Sequence, residues 1–581
     1  MMNWTPITGD PEKLADFIRV ARGDKPADLI LRGGKVVDVF SGEIRETAVA
    51  VYRGRIAGLG DYEGKETHDL DGRCISPGFI DAHCHIESSL LPPAEYARAV
   101  VPRGTTTVVA DPHEIANVLG LEGVRFLLES SRHCPLDVFL MAPSCVPASP
   151  LETAGAVLEA EDLFPLLADS RILGLGEMMN FPGVVIGDPG VMAKLAGGAA
   201  HIDGHAPGLS GRALCAYVAA GVQSDHECVT AEEAGEKLGL GLHIMIREGS
   251  TARNLEALLP AVRPENAGRF SLVTDDVDPA DLSSKGHLDY VVNRAVRLGL
   301  DPVPALQMVT VNSARHFGLG DRGAIAPGLR ADLAVFEDPR DIRVQQVYKD
   351  GSLVATGGRM AFYGDHAPAG RVRNTVSLRW DRLEDFSVPA VGKRLRVIGV
   401  EPGQIVTRTR VMEARVEDGL ALSDVDRDLL KVAVAERHGR TGKVGFGFVH
   451  GFGLKRGALA SSVAHDSHNV IAAGVVDEDL RAGFRAVEEM QGGLAAVLDG
   501  RPIARLALPI AGLMSDSPIE VVTAQLETLH AAARDLGCGL DSPFMTLSFL
   551  ALAVIPELKL TDMGLVDVTK FDFVPLFEDE D

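Results

Sequence analysis

The run Phe79-Ile80-Asp81-Ala82-His83-Cys84-His85-Ile86-Glu87 holds two imidazoles two residues apart. On a β-strand, side chains alternate faces with period two. The spacing therefore predicts Asp81, His83, His85 and Glu87 on one face and Ile80, Ala82, Cys84 and Ile86 on the other. Two imidazoles aimed at one point suit a divalent metal ion. A half-buried strand with incidental histidines has the same local pattern, so the rest of the chain must decide. Further strand-like runs end in residues of the same kind: Glu177 after Gly174-Leu175-Gly176, His205 after His201-Ile202-Asp203-Gly204, His226 after Gln223-Ser224-Asp225, and Asp275 after Leu272-Val273-Thr274. Each alone reads as a solvated side chain or a helix cap. Five strand ends of this type, in order along one chain, read as a single metal centre. His83 and His85 can hold one divalent ion, His205 and His226 a second, and Glu177 can bridge them. Two ions sharing a water acidify it and hold the electrophile. Asp275 can ligate the first ion and accept the proton of the attacking water. A shell of histidine and carboxylate without thiolate suits Zn, Mn or Fe better than a structural zinc site.

The elements that must position these residues follow from texture. Residues 28–70 read as short strands punctuated by Gly33-Gly34, Ser41-Gly42 and Arg53-Gly54 turns, after a short amphipathic helix at 10–22. From residue 76 to about 320 the chain alternates strand and helix. Strand ends are predicted near His85, Asp111, Ser144, Glu177, His205, His226, Arg247 and Asp275, with helices at 121–131, 161–169, 211–220, 231–238 and 254–259. Eight such units over this length match a TIM barrel, in which all strand ends lie on one face. An open doubly wound sheet would need a Gly-rich phosphate turn after an early strand, and Gly58-Leu59-Gly60 is followed by no helix.

Short strands return at 331–336, 342–348 and 352–356, placed to pair with the amino-terminal set. Residues 371–581 then read as α+β, with strands before a helix at 478–489, a hairpin at Asp499-Gly500 and a helix at 519–536. The expected fold is thus α/β. A TIM-like (β/α)8 barrel (76–320) stands beside a small β-sandwich domain built from both flanks (1–75 plus 321–370), and an α+β C-terminal domain (371–581) follows.

Composition excludes several classes. The 581 residues carry a formal net charge of −24, so there is no basic surplus to neutralise phosphates and a nucleic-acid partner is not expected. The longest apolar run, 544–555, is too short to span a bilayer, and Met1-Met2-Asn3-Trp4 opens no secretory pattern. Seven scattered cysteines without a Cys-x-x-Cys pair fit a reduced, cytoplasmic protein. Cytidine-type base deaminases need Pro-Cys-x-x-Cys, which is absent, so His85-Ile86-Glu87 matches their first half by accident. His-Glu-x-x-His and Gly-x-Ser-x-Gly are also absent. The glycine-rich run 445–453 lacks a Gly-Lys-Ser/Thr ending and is expected to be a tightly turned hairpin.

Ser76-Pro77-Gly78-Phe79-Ile80-Asp81-Ala82-His83-Cys84-His85, with Asn312-Ser313-Ala314-Arg315 and the run 326–333, resembles the amidohydrolase superfamily. Within it, the runs at 81–89 (DAHCHIESS), 110–117 (ADPHEIAN), 176–183 (GEMMNFPG), 202–211 (IDGHAPGLSG), 273–276 (VTDD), 464–469 (AHDSHN) and 512–515 (GLMS) are similar to the bacterial adenine deaminases. Many amidohydrolases place a carboxylated lysine on strand four. Glu177 stands there in this chain, which speaks against the dihydroorotase, hydantoinase and urease branches.

The resemblance implies hydrolytic deamination of adenine to hypoxanthine and ammonia, by a metal-bridged hydroxide attacking C6 of the purine. It implies two divalent ions per subunit, Mn(II) or Fe(II) with Zn(II) as the alternative, held by His83, His85, Glu177, His205, His226 and Asp275. Asp275 would pass the proton towards the leaving ammonia. Glu114, Glu87 and Glu248 are the candidate acids for ring nitrogen N1. Asp276, His465 and His468 are candidate substrate contacts, as are Ser283 and Ser284, for which helix capping is the stronger reading. The sequence leaves open whether His113 and His201 touch metal, and whether the loop 465–469 reaches the barrel mouth. Adenine as the small-molecule partner, a homodimer and a role in purine salvage are family-level expectations. Another aminopurine or cyclic amide as substrate, or a non-catalytic scaffold, are the alternatives.

Overall fold

The computed structural model describes residues 8–361 and 370–578. The amino-terminal tetrapeptide and most of the expected boundary at 368–370 lie outside the described residues.

Eight parallel strands form the barrel: Phe79–Cys84, Thr105–Ala110, Asp137–Ala142, Ile172–Met178, Ile202–Gly204, Ser224–Asp225, His243–Arg247 and Phe270–Val273. The first five are one continuous ladder and the last three another. Main-chain bonds close the two seams, from Gln223 N–H to Ile202 O (3.0 Å) and from Asp275 N–H to His83 O (3.1 Å). Ile80, Ala82, Val109, Met141, Met245 and Val273 fill the interior as one apolar cluster. The site therefore rests on a packed plug, as barrel cores do.

That cluster overturns one expectation. Ile80 and Ala82 point into the barrel, while Asp81 faces outward and accepts the Thr274 hydroxyl (2.6 Å), with His287 Nε2 at 3.2 Å. The cause is a register shift against the second strand between Asp81 and Cys84. A bulge of this kind re-aims the side chains after it, so the two histidines reach the mouth although the alternation counted from Asp81 predicts otherwise. The strand also stops at Cys84, and Glu87 sits in a 3-10 turn at Glu87–Ser89.

Two sheets flank the barrel. A seven-stranded sheet runs Arg359–Met360, Ser352–Thr356, Asp341–Lys349, Leu333–Asp338, Cys74–Pro77, Lys35–Asp38, Glu43–Glu46, and so pairs strands from before and after the barrel. A four-stranded sheet runs Arg55–Leu59, Val49–Tyr52, Ala27–Arg32, Gly64–Asp69. The expected helix at 161–169 is instead a turn of α-helix at Ala160–Leu163 and a 3-10 turn at Leu166–Ala168, with Pro165 between them.

Beyond residue 370 an eight-stranded sheet dominates, with Val444–His450 near its middle. The glycine-rich run is therefore mostly a central strand and not a tight hairpin. A Cβ on Gly445 would lie 2.0 Å from Thr561 O, so glycine there lets the strand Leu558–Thr561 pack directly on the sheet. The helices Ile519–Asp535 and Pro543–Phe549 and a three-stranded sheet complete this region. All seven cysteines are free thiols, and no helix among the described residues is long and apolar enough to cross a membrane.

Candidate active site

Glu177 lies between two histidine pairs. One carboxylate oxygen is 3.1 Å from His85 Nε2 and 3.4 Å from His83 Nε2. The other is 2.8 Å from His205 Nδ1 and 3.5 Å from His226 Nε2. Its main-chain N–H donates to Asp111 Oδ2 (2.7 Å), which fixes where the side chain starts. The preceding Gly176 makes that approach feasible, because a Cβ there would sit 2.0 Å from the Asp111 carboxylate. Asp275 ends the eighth strand in left-handed backbone (φ 59°), a region aspartate enters more readily than most residues. One of its oxygens is 3.2 Å from His85 Nε2, and the other accepts Arg247 Nη1 over 3.0 Å.

These groups suit divalent cations. His83 Nε2, His205 Nε2 and Glu177 Oε1 are buried with no hydrogen-bond partner among the described residues. Such atoms are costly unless something completes them. His83, His85 and Glu177 form one group with metal-binding spacing, His83, His226 and Asp275 another, and Glu177, His205 and His226 a third. Burial alone would lower the pKa of His85, yet Asp275 and Glu177 hold it well above the ordinary imidazole range. The pocket thus favours positive charge at the imidazoles, which bound cations would supply.

The remaining expected residues separate into those that line the cavity and those that stand behind it. Glu114, Asp276 and His465 line it, together with Asp466, Phe549, Ile405 and Leu552. Glu114 accepts the Ser88 hydroxyl (3.0 Å) and has His465 Nδ1 at 3.3 Å. Burial, with the carboxylates of Asp276 and Glu87 nearby, pushes its pKa well above the ordinary range. Asp276 lies against the same Ser88 hydroxyl, whose single proton serves one of the two carboxylates at a time. Glu87 accepts the Ile115 main-chain N–H (3.2 Å), and His468 sits beyond Glu114, its Nε2 3.9 Å from Oε2. Glu248 is paired with Arg294 (2.7 Å) and stands apart from the cavity.

Ser283 and Ser284 fall in the last turn of the helix Pro279–Ser284, whose N-cap is Asp278. Ser284 bonds back to Ala280 O, so neither capping nor substrate contact describes them. His113 is 3.4 Å from Asp111, 3.8 Å from Glu177 and 3.6 Å from Asp466. His201 is held by Asp203 (3.0 Å), and its ring lies edge-on to that of His316.

Sequence reasoning missed several members. Arg247 grips Glu227 through both Nη atoms and also reaches Asp275 and Asn254 (Nε, 3.1 Å). Its place at the end of the seventh strand was the available signal. The roof of Phe549, Ile405 and Leu552 comes from the C-terminal region, and Phe549 stacks on His465 at 4.6 Å. Apolar roof residues carry no mark in the sequence that sets them apart from core.

A (β/α)8 barrel with histidine and carboxylate ligands gathered at its strand ends defines a hydrolase of the amidohydrolase class, and residues 74–354 match the family model described as "Amidohydrolase family". Residues 404–572 match "Adenine deaminase C-terminal domain". The chain is 51% identical to a protein named adenine deaminase from Desulfatibacillum aliphaticivorans, over 97% of this chain and 99% of that one. It is 52% identical to adenine deaminase 2 of Carboxydothermus hydrogenoformans, with the same coverage, and 51% identical to an adenine deaminase of Methanothrix thermoacetophila, covering 97% and 100%. The chain belongs to the adenine deaminase family.

Proposed function

We propose that this protein hydrolyses adenine to hypoxanthine and ammonia. The observation that carries the reading is Glu177, with one oxygen turned to each histidine pair, in a chain related over nearly its full length to adenine deaminases. His83, His85 and Asp275 would hold one divalent ion and His205 and His226 a second, with Glu177 between; bound there, the ions would supply an acidified water and polarise the base. Mn(II) or Fe(II) is the proposed pair, with Zn(II) as the alternative.

The chain's own residues do the rest. Asp275 takes the proton released as the C6–O bond forms and delivers it to the departing amino nitrogen as the C6–N bond breaks. Arg247 holds Asp275 in place for this transfer. Glu114 is the acid favoured for the ring nitrogen, because it lines the cavity while Glu87 is engaged by a main-chain N–H and Glu248 by Arg294. Asp276 and His465 contact the base edge, and Phe549, Ile405 and Leu552 exclude water above its plane. His468 supports Glu114 from behind. The division into barrel (76–320), flanking sandwich (1–75 plus 321–370) and C-terminal unit (371–581), a homodimer, a cytoplasmic location and a role in purine salvage belong to the same proposal.

The test is ammonia release from adenine by enzyme loaded with Mn(II), Fe(II) or Zn(II), beside adenosine, guanine, cytosine and a hydantoin, with Asp275→Asn as control. Turnover of adenine, lost in the variant, is expected. Turnover of another compound, with adenine untouched under every metal, would discard the substrate.

A further inference from the structure

The cavity at the metal ligands is lined almost entirely by buried side chains. Of the described residues lining it, all are buried except Asp276, which is half-buried. Asp276 therefore marks the least buried side of that cavity. On that side lies a second, almost wholly apolar cavity between the barrel mouth and the C-terminal region. Its outer rim is half-buried: His530, Ser542 and Met545. Its inner end is Ser88 and His465, both buried. The Ser88 hydroxyl lies within hydrogen-bond distance of Glu114 and Asp276, which line the metal cavity, and His465 lines both spaces.

We propose that this apolar cavity is the vestibule through which the purine base reaches the metal site and the product leaves, passing Ser88, Asp276 and His465. The inference rests on adenine as substrate. The chemistry fits a flat, uncharged heteroaromatic base. Apolar walls let it shed water before it meets the polar cavity, and ionic or sugar-bearing compounds gain nothing there. Ser88 and His465, at the inner end, offer the first hydrogen bonds to its ring edge, and Asp276 follows in the metal cavity. A passage differs from a binding subsite in one measurable way. Narrowing it slows arrival and departure equally and leaves the equilibrium affinity unchanged.

Met545 is the residue to narrow it. It sits at the rim, touches the barrel through Thr251 (3.5 Å to its sulfur), and has no part in the metal cavity. Met545→Cys, folded and loaded with Mn(II), would be labelled with a benzyl methanethiosulfonate, and wild type treated identically would control for native thiols such as exposed Cys215. Association and dissociation rates of hypoxanthine would be read by surface plasmon resonance before labelling, after it, and after reductant removes the adduct. We expect both rates to fall about tenfold on labelling, with Kd unchanged and full recovery on reduction. Unchanged rates with the adduct verified by mass would overturn the vestibule. So would a raised Kd carried by faster dissociation, which would make Met545 part of a binding surface. Ser542→Cys, at the same rim, takes the place of Met545→Cys if that variant does not fold. If wild type neither turns over adenine nor binds hypoxanthine, the functional reading has failed, and that result is separate from an unblocked passage.

Discussion

Arg247 Nη1 and Asp275 Oδ2 are 3.0 Å apart in a pocket where both side chains are buried. The guanidinium is itself gripped by Glu227, so it is fixed before it meets Asp275. Burial alone would raise the pKa of Asp275, but His83, His85 and Arg247 together hold it well below the ordinary range. Arg247 thus decides where the Asp275 carboxylate points. Arg247→Met is expected to lower kcat about 10²-fold, with metal content retained. Arg247→Lys should recover only part of the loss, because an ammonium cannot serve Glu227 and Asp275 in the same fork. Steady-state kinetics and metal analysis on the same preparations check this, and an unchanged kcat in Arg247→Met would remove Arg247 from the mechanism.

Metal retention should divide along Glu177. His205→Ala removes a ligand from one side only, so the variant is expected to keep about one ion per subunit where the parent holds about two. Glu177→Gln weakens both sides and should lose more. Elemental analysis after gel filtration reads the result without reference to activity. Equal metal content in parent and His205→Ala would contradict the assignment of His205 as a ligand.

The strand ends were legible because a barrel puts all of them on one face, so residue type and order along the chain were enough to gather His83, His85, Glu177, His205, His226 and Asp275. Asp81 was misplaced because a bulge is a pairing feature between strands, and one strand's alternation does not record it. Glu87 was read as strand although the chain turns at that point. Ile405 and Phe549 were invisible for a different reason. They belong to a region folded around its own sheet, and only its docking onto the barrel mouth brings them to the site.

Glu114 and Ser88 make a second short-range pair at the site. Glu114→Gln keeps the shape and the hydrogen-bonding capacity but cannot give up a proton as an acid does. Its kcat for adenine should fall by roughly 10² to 10⁴ with KM little changed. Ser88→Ala should cost only about tenfold, since it removes one hydrogen bond and leaves the carboxyl in place. The ratio of the two losses is the measurement. Equal losses would mean that Glu114 serves as a hydrogen-bond acceptor and not as an acid.

Lys559 carries the last prediction, one of stability against pH. Its ammonium is fully buried and donates to the main-chain carbonyls of Ile405 (2.8 Å) and Phe549 (2.9 Å), two residues of the cavity roof. Among the described residues no carboxylate hydrogen-bonds to it, and burial lowers its pKa to about 7. In the unfolded chain a lysine titrates at about 10.4. Between these values the unfolded state binds the extra proton and the folded state does not, so stability rises with pH across that window. Below about pH 7 both states are protonated and the full cost of burying the charge is present. The contribution is at most about 1.4 kcal/mol per pH unit. Lys559→Met abolishes the titration, while stranding two carbonyls shifts its curve by a constant. Urea denaturation at pH 7.5 and pH 9.5 should therefore show wild type gaining on Lys559→Met as pH rises. Curves that stay parallel would mean the amine is as readily protonated in the fold as in water, and would refute its burial without a counter-ion.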